Sequence, residues 1–426
     1  MRVCQRCLYG EYHPLGIVIA ADGICSGCRV HEEKDVLDWS ARRQKLGALL
    51  DRYRGKSSSR FDCVVPVSGA RDSYFIVHVL KREFGMNPLL VNYNKLWNTS
   101  TGHRNLAYLR SIFDADFYSY LPNRKLVQNI VRRTLDLRGS IYWHVIAGQT
   151  VLPVQVAVRY KIPLVIWGHH QGLDQVGMYS HTDEVEMSRK YRKNHDLMGL
   201  EAEDIVSEAD GLPERDLRPW YYPHDKDIQA VGVRGIYLGN YIRWDSKAQH
   251  ESMIERYGYE SLPQQRTFDS YNDADCVHYS GLHDAIKFWK LGYGKVIDHA
   301  SREIRLRRMT RDQGLAMARR YAGIEPEDTG LLLDWLSLSR ADLMAKIDAH
   351  RDPRIWRRGE SGDWHLRQPM LETTTAEPAA ALVPAERWSD FRTTAPRESG
   401  VDGKAYVTLH RGYVDGHPIS DVDRVY

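Results

Sequence analysis

The sequence predicts an α/β fold: a parallel-sheet core that carries a small cysteine-rich unit at its N-terminus and a mostly helical C-terminal region. Three observations predict it. Between residues 62 and 167, short strand-forming runs alternate with helical periodicity, and strands separated by helices imply right-handed crossovers in a parallel sheet. Four of the six cysteines lie within the first 28 residues as two Cys-x-x-Cys pairs. After residue 245 the helical pattern returns and runs to about 348.

Cys4 and Cys7 are followed after 17 residues by Cys25 and Cys28, the two-knuckle spacing of a zinc ribbon. Each Cys-x-x-Cys turn presents two thiolates to one ion, and two turns complete a closed tetrahedral sulfur shell, so a structural Zn²⁺ is expected on these four residues. Two buried or redox-active thiol pairs are the lesser reading. Glycines at 10, 16, 23 and 27 suit the tight knuckle turns. Cys63 and Cys276 stand alone, and Cys63, opening an apolar strand, reads as a small core hydrophobe.

A helix over 32–54 and a polar linker at 56–60 lead into the main domain. There the pattern predicts a strand at 62–67, a helix at 73–85, a strand at 88–93, a helix at about 102–113 and a strand at 116–121. Helices at 123–137 and 146–160 precede "IPLVIW", residues 162–167, an unbroken apolar run suited to a strand buried on both faces. Residues 171–245 lose periodicity and read as an irregular insertion, where function often resides. Helices are predicted at 245–258, 280–292, 299–308, 310–321 and 328–348. Residues 366–426 read as a flexible tail with "KAYVTLH" a candidate short strand. The expected units are a zinc ribbon at 1–35, the sheet domain at 60–245, a helical domain at 246–350 and the tail.

With 59 basic and 56 acidic residues in 426 and a net charge of +3, bulk electrostatic attachment to nucleic acid is not expected. No apolar run approaches the roughly 20 residues a bilayer requires, so no membrane association is expected. The N-terminus lacks the layout of a secretion signal, and a cytoplasmic location is the expectation.

The stretch "VVPVSGARDS", residues 64–73, ends a buried strand and opens a helix. Ligands of open parallel sheets bind at strand carboxyl ends, and a helix N-terminus offers unpaired N–H groups to phosphate. The hexapeptide is neither GxxxxGK[ST] nor GxGxxG. It resembles the PP-loop of ATP pyrophosphatases, usually SGGxDS, and the parent fold would then be adenine nucleotide alpha hydrolase-like. The resemblance implies that Ser68, Gly69, Ala70, Arg71, Asp72 and Ser73 hold the ATP pyrophosphate and that Asp72 positions Mg²⁺. Ala70 replaces the second glycine, so either this position is not left-handed or the grip on phosphate is looser. A plain helix cap built on Ser68 or Asp72 would use similar residues.

After the later strand, "GHHQGLDQ" at 168–175 resembles the Gly-His-His segment of tRNA-modifying PP-loop enzymes, and brings Gly168, His169, His170 and Asp174 toward the loop. Tyr93 and Asn94 stand where PP-loop enzymes meet adenine and ribose; Gly102 and Asn105 are weaker candidates.

With "NTSTGHRNL" at 98–106 and "HDAIKFWKLGYGKVIDHASREIRLRRMTR" at 283–311, the whole constellation resembles the N-acetyl sugar amidotransferases of surface-polysaccharide and nonulosonate biosynthesis. The resemblance implies adenylation of an acetamido oxygen by ATP and displacement of AMP by ammonia, giving an amidine. Relatives receive ammonia from a separate glutaminase subunit, which becomes the expected partner; an oligomeric state is compatible with this reading. Asp72, Ser73, His169 and Asp174 would be catalytic, and His170, Lys295, Asp298, Arg302 and Arg305 would meet the sugar or related amide. Relatives commonly carry Gly-Glu where this chain has Gly168-His169, so the substrate may differ. A tRNA-modifying PP-loop enzyme and a degenerate, non-catalytic PP-loop protein are the alternatives.

Overall fold

The computed structural model describes residues 2–70, 72–367 and 389–394. Its core is a five-stranded, all-parallel sheet of β1 (Cys63–Pro66), β2 (Pro88–Tyr93), β3 (Phe117–Tyr120), β4 (Leu164–Trp167) and β5 (Arg234–Tyr237). The order is β3-β2-β1-β4-β5, so the chain winds outward in both directions from β1. A crevice opens between the carboxyl ends of β1 and β4, the topological switch point.

Six helices set the frame: α1 (Ser26–Glu33), α2 (Trp39–Asp51), α3 (Asp72–His78), α4 (Ser100–Phe113), α5 (Arg124–Arg138) and α6 (Trp143–Tyr160). Alternate strand residues serve opposite faces. Val64, Leu89, Val91 and Val165 pack with Val127 and Ile130 of α5 and Leu152 and Val156 of α6. Cys63, Val65, Leu90 and Ile166 pack with Ile76 of α3, Leu109 of α4 and Leu46 of α2. Both faces are covered, as a purely parallel sheet requires. Cys63 is a buried core residue, and burial pushes its thiol well up.

A third core joins the cysteine-rich unit to the C-terminal helical region. Leu8, Tyr9, Tyr12 and Ile19 of the cysteine-rich unit pack against Val296, Ile297, Ala300 and Ile304 of the helix Lys295–Arg305. The segments read as 1–35 and 246–350 therefore share one core rather than each enclosing its own.

Several elements differ from expectation. The helix read over 32–54 is two, because Asp38 caps a fresh start by accepting from Ala41 N. The helix read over 73–85 is α-helical only to His78 and continues as a π-turn, Val79–Glu83. The helix read over 328–348 breaks at Ser337, φ 51°, into Thr329–Leu336 and Arg340–Asp348. Within the stretch read as irregular, β5 forms because β4 offers it a hydrogen-bonding edge, pairing Leu164 with Arg234 through Trp167 with Tyr237. A hairpin of β6 (Trp356–Arg358) and β7 (Trp364–Leu366) follows the helices. "KAYVTLH" and nearly all of the stretch read as a tail lie outside the described residues. Among the described residues no single helix is long and apolar enough to cross a membrane.

Candidate active site

At the end of β1 the loop Ser68–Ala70 folds on itself: Ser68 N donates to Ser73 Oγ at 2.8 Å, and Ala70 N donates to Ser68 Oγ at 3.2 Å. Gly69 is needed for close approach, since a Cβ there would stand 2.2 Å from the Gly102 carbonyl oxygen at the start of α4. Ala70 is not among the residues with positive φ, so the departure from the SGG pattern imposes no left-handed strain. Gly102 and Asn105 act on the loop from behind: Asn105 Nδ2 donates to the Gly69 carbonyl at 3.2 Å and to the Glu260 carbonyl at 2.9 Å. Arg71 lies outside the described residues.

Asp72 opens α3, where the helix dipole favours a negative charge. His169 Nδ1 lies 3.6 Å from one of its carboxylate oxygens and His250 Nε2 lies 3.7 Å from the other. His250 was not expected. It stands on the helix Ser246–Tyr257 with Nδ1 against the Ser246 carbonyl, and nothing in "KAQHESM" announces that its ring faces a strand end 178 positions earlier.

The two histidines after β4 diverge. The His169 ring packs on Trp244 with centroids 5.2 Å apart, beside Asp72. The His170 ring turns the other way, among Tyr191 at 4.1 Å, Tyr237 at 4.7 Å and Tyr179 at 5.5 Å. Burial, reinforced by His169, pushes His170 down to about 4, so it is a neutral imidazole. Gly168 gives β4 room to pass Ile76 and Trp244, each 3.2 Å from where a Cβ would lie. Asp174 accepts from Lys34 Nζ at 2.6 Å; burial would raise this carboxyl, but Lys34 and His169 outweigh it and hold it well below the usual range. Lys34 was also missed, being one charge in a charged run.

The Tyr93 hydroxyl is held in the core by Trp220 Nε1 at 3.1 Å and His144 Nδ1 at 3.2 Å, although the ring reaches the cavity. Asn94 is turned into its own loop: Oδ1 accepts from Leu96 N at 2.8 Å and Asn98 Nδ2 at 2.6 Å. It is not on the cavity wall.

Residues of the C-terminal helical block arrive already partnered. Lys295 Nζ donates to Gln264 Oε1 at 2.6 Å and Ser280 Oγ at 3.2 Å. Asp298 accepts from Lys287 Nζ at 2.7 Å and the Tyr9 hydroxyl at 2.9 Å. Arg302 pairs with Asp269 at 2.8 Å and Glu303 at 2.9 Å. The Arg305 guanidinium is directed at the cysteines, 3.4 Å from Cys28 Sγ and 3.5 Å from Cys25 Sγ, and donates to the Asp174 and Gln175 carbonyls at 2.8 and 2.7 Å.

A cavity of about 670 Å³ gathers these groups: Ser68, Ala70, Asp72 and Ser73 from the loop, Gly168, His169, His170 and Asp174 from the end of β4, and Lys295, Asp298, Arg302 and Arg305 from the helical block. Tyr9 and His13 of the cysteine-rich unit complete the wall.

The Sγ atoms of Cys4, Cys7, Cys25 and Cys28 lie within 4.8 Å of one another, all buried. Cys7 to Cys25 is 3.6 Å and Cys4 to Cys28 is 4.0 Å. Zn–S bonds of ~2.3 Å in a tetrahedron put sulfurs about 3.8 Å apart, so the four residues fit Zn²⁺. Arg305 offers a counter-charge to the thiolates. For Mg²⁺ the fit rests on Asp72: this ion typically takes one or two carboxylates and completes its shell with phosphate and water.

A family model described as the C-terminal domain of WbpG-like lipopolysaccharide (LPS) biosynthesis proteins matches residues 251–370. This stretch is similar to WbpG-like C-terminal domains. It contains the "HDAIKFWKLGYGKVIDHASREIRLRRMTR" block, and through Lys295, Asp298, Arg302 and Arg305 the WbpG-like domain contributes one wall of the cavity that the sheet's loop opens into. Comparison with the curated proteins finds no match. Similar solved structures include the NH3-dependent NAD synthetase of Campylobacter jejuni subsp. jejuni NCTC 11168 in complex with the nitrate ion, at 13% identity over 46% of this chain and 92% of that chain, TM-score 0.26. The NMN synthetase of Francisella tularensis is similar at 13% identity over 51% of this chain and 95% of that chain, also with TM-score 0.26. At that level of superposition neither bears on what this chain does.

Proposed function

We propose that this chain is an ATP-dependent amidotransferase of LPS or related polysaccharide biosynthesis, acting in the cytoplasm on the acetamido group of a sugar or nucleotide sugar. The supporting observation is the shared cavity: a self-bonded Ser-Gly-Ala-x-Asp-Ser loop at a helix start and the WbpG-like domain face the same space. The loop amides and the Ser68 and Ser73 hydroxyls hold the pyrophosphate of ATP, and Asp72 with those phosphates holds Mg²⁺. Mg²⁺, when bound, supplies positive charge to the departing pyrophosphate. The acetamido oxygen attacks the α-phosphorus, the bond to pyrophosphate breaks, and an O-adenylate forms. Ammonia then adds to the imidate carbon and sheds a proton, and the former amide oxygen leaves on AMP, so that amide, ATP and ammonia give amidine, AMP and pyrophosphate. His169, set between Asp72 and Trp244, stabilises the charge that builds on the phosphates. A separate glutaminase subunit supplies the ammonia.

Pyrophosphate release measured with ATP, Mg²⁺, ammonium and a panel of acetamido sugars tests the reading. Release that requires both ammonium and an acetamido sugar is expected. A chain that binds no ATP would sink every enzymatic reading.

A further inference from the structure

The four residues of the helical block expected to meet the acceptor are each committed to partners within the protein. Unmet hydrogen-bonding capacity lies at the end of β4. His170 is 4% exposed, and neither ring nitrogen has a hydrogen-bond partner among the described residues. Directly after Tyr191, a five-residue π-turn, Arg192–Asp196, replaces α-helical geometry and leaves Asp196 on the cavity wall. Such turns recur at functional sites. Burial pushes the Asp196 carboxyl up to about 7 against the opposing pull of Arg192, and no hydrogen bond or ion pair from a described residue reaches it. Arg192 is spent elsewhere: Nε donates to Thr150 Oγ1 at 2.8 Å, Nη1 lies 3.5 Å from Glu201, and the guanidinium covers the Tyr222 ring.

What remains open is of one chemical kind. A carboxyl and a neutral imidazole accept hydrogen bonds from a ligand rich in O–H and N–H groups, and the faces of Tyr191 and Tyr237 suit its apolar C–H surface. The guanidinium nearest these groups, that of Arg192, is already engaged and so offers phosphate little. We propose that His170, Asp196, Tyr191 and Tyr237 form the pocket for the pyranose ring of the acetamido acceptor, keeping His170 from the residues that resemblance pointed to and replacing the four of the helical block. The assignment rests on the amidotransferase reading for the identity of the ligand and on the geometry for its place. It also gives a role to the 171–245 insertion.

Saturation-transfer difference NMR on the full chain, with N-acetylglucosamine, N-acetylgalactosamine and N-acetylmannosamine as probes, decides it. Transfer to the ring protons of at least one sugar is expected, with affinity at least tenfold weaker in both Asp196→Asn and His170→Leu. Reading two variants, each checked by its thermal melt, guards against one misfolding. No transfer to any of the three sugars overturns the pocket, as does undiminished transfer in the folded variants. Sugar binding without ATP-dependent pyrophosphate release would instead sink the adenylation step and leave the pocket standing.

Discussion

Asp72 shows how much one residue's setting adds to its identity. At the first position of α3 its charge suits the helix dipole, and two imidazoles from distant segments face its two oxygens. Asp72→Ala is expected to lower pyrophosphate release by about 10²-fold or more, the scale of losing one preorganised electrostatic partner. Zinc content, read by atomic absorption, should not change, because the cluster is built from Cys4, Cys7, Cys25 and Cys28 and does not use Asp72 as a ligand. The neighbouring loop positions should respond unequally to small changes. Gly69→Ala drives a Cβ to 2.2 Å from backbone that cannot swing away, and should cost about 1–3 kcal/mol in urea unfolding. Ala70→Gly removes a methyl from a position without positive φ and should cost only about 0.4–1 kcal/mol with turnover kept.

Among the elements, the helix Lys295–Arg305 ties the cysteine-rich unit to the C-terminal helical region. Its Ile297 and Ile304 complete the core of the cysteine-rich unit, and Arg305 bridges the sulfurs to the carbonyls that follow β4. Gly27, in α1, lets this happen: a Cβ there would lie 2.3 Å from both Arg305 Nη2 and the Gln175 carbonyl. Gly27→Ala should therefore push Arg305 off the cluster and shorten the half-life of bound zinc against a chelator; unchanged zinc retention would argue that Arg305 contributes little there. Chelation of the wild-type chain should also weaken ATP binding, followed through the fluorescence of Trp167 and Trp244, because Tyr9 and His13 wall the same cavity.

For the molecule as a whole, buried neutral histidines shape the response to acid. Burial pushes His144 and His283 down to about 3 and His170 to about 4, while all three titrate normally when the chain unfolds. Between about pH 6.5 and those values the unfolded chain binds more protons, so these residues make stability fall as pH falls. Asp196 acts in the other sense: raised to about 7, it takes up its proton in the folded state first and adds stability as pH drops from there toward the ordinary carboxylate range. Burial lowers His13, His78 and His181 in the same sense, so the histidines outweigh Asp196 and the melting temperature should decline from pH 6.5 to pH 4. Asp196→Asn should steepen that decline, as seen by calorimetry across the pH range.

Local pattern determined the parallel sheet, the two cysteine knuckles and the turn from β1 into α3, because each is written in contiguous residues: apolar runs, Cys-x-x-Cys spacing, a strand running into Ser-Gly and a helix. It also brought Ser68, Asp72 and Ser73 to one cavity with Gly168, His169 and Asp174, since the crevice of a parallel sheet lies at its carboxyl ends. Tertiary structure alone decided which polar groups are left with capacity to spare. Charge and resemblance singled out Lys295, Asp298, Arg302 and Arg305, yet each is engaged by a partner between 31 and 289 residues away, and no periodicity signals such pairs. The same holds for His250 beside Asp72, for Lys34 on Asp174, and for β5, a four-residue strand that exists because β4 presents an edge for it. Hydrogen-bond satisfaction is settled among segments brought together by folding, and that is where a sequence read along its length loses sight of the site.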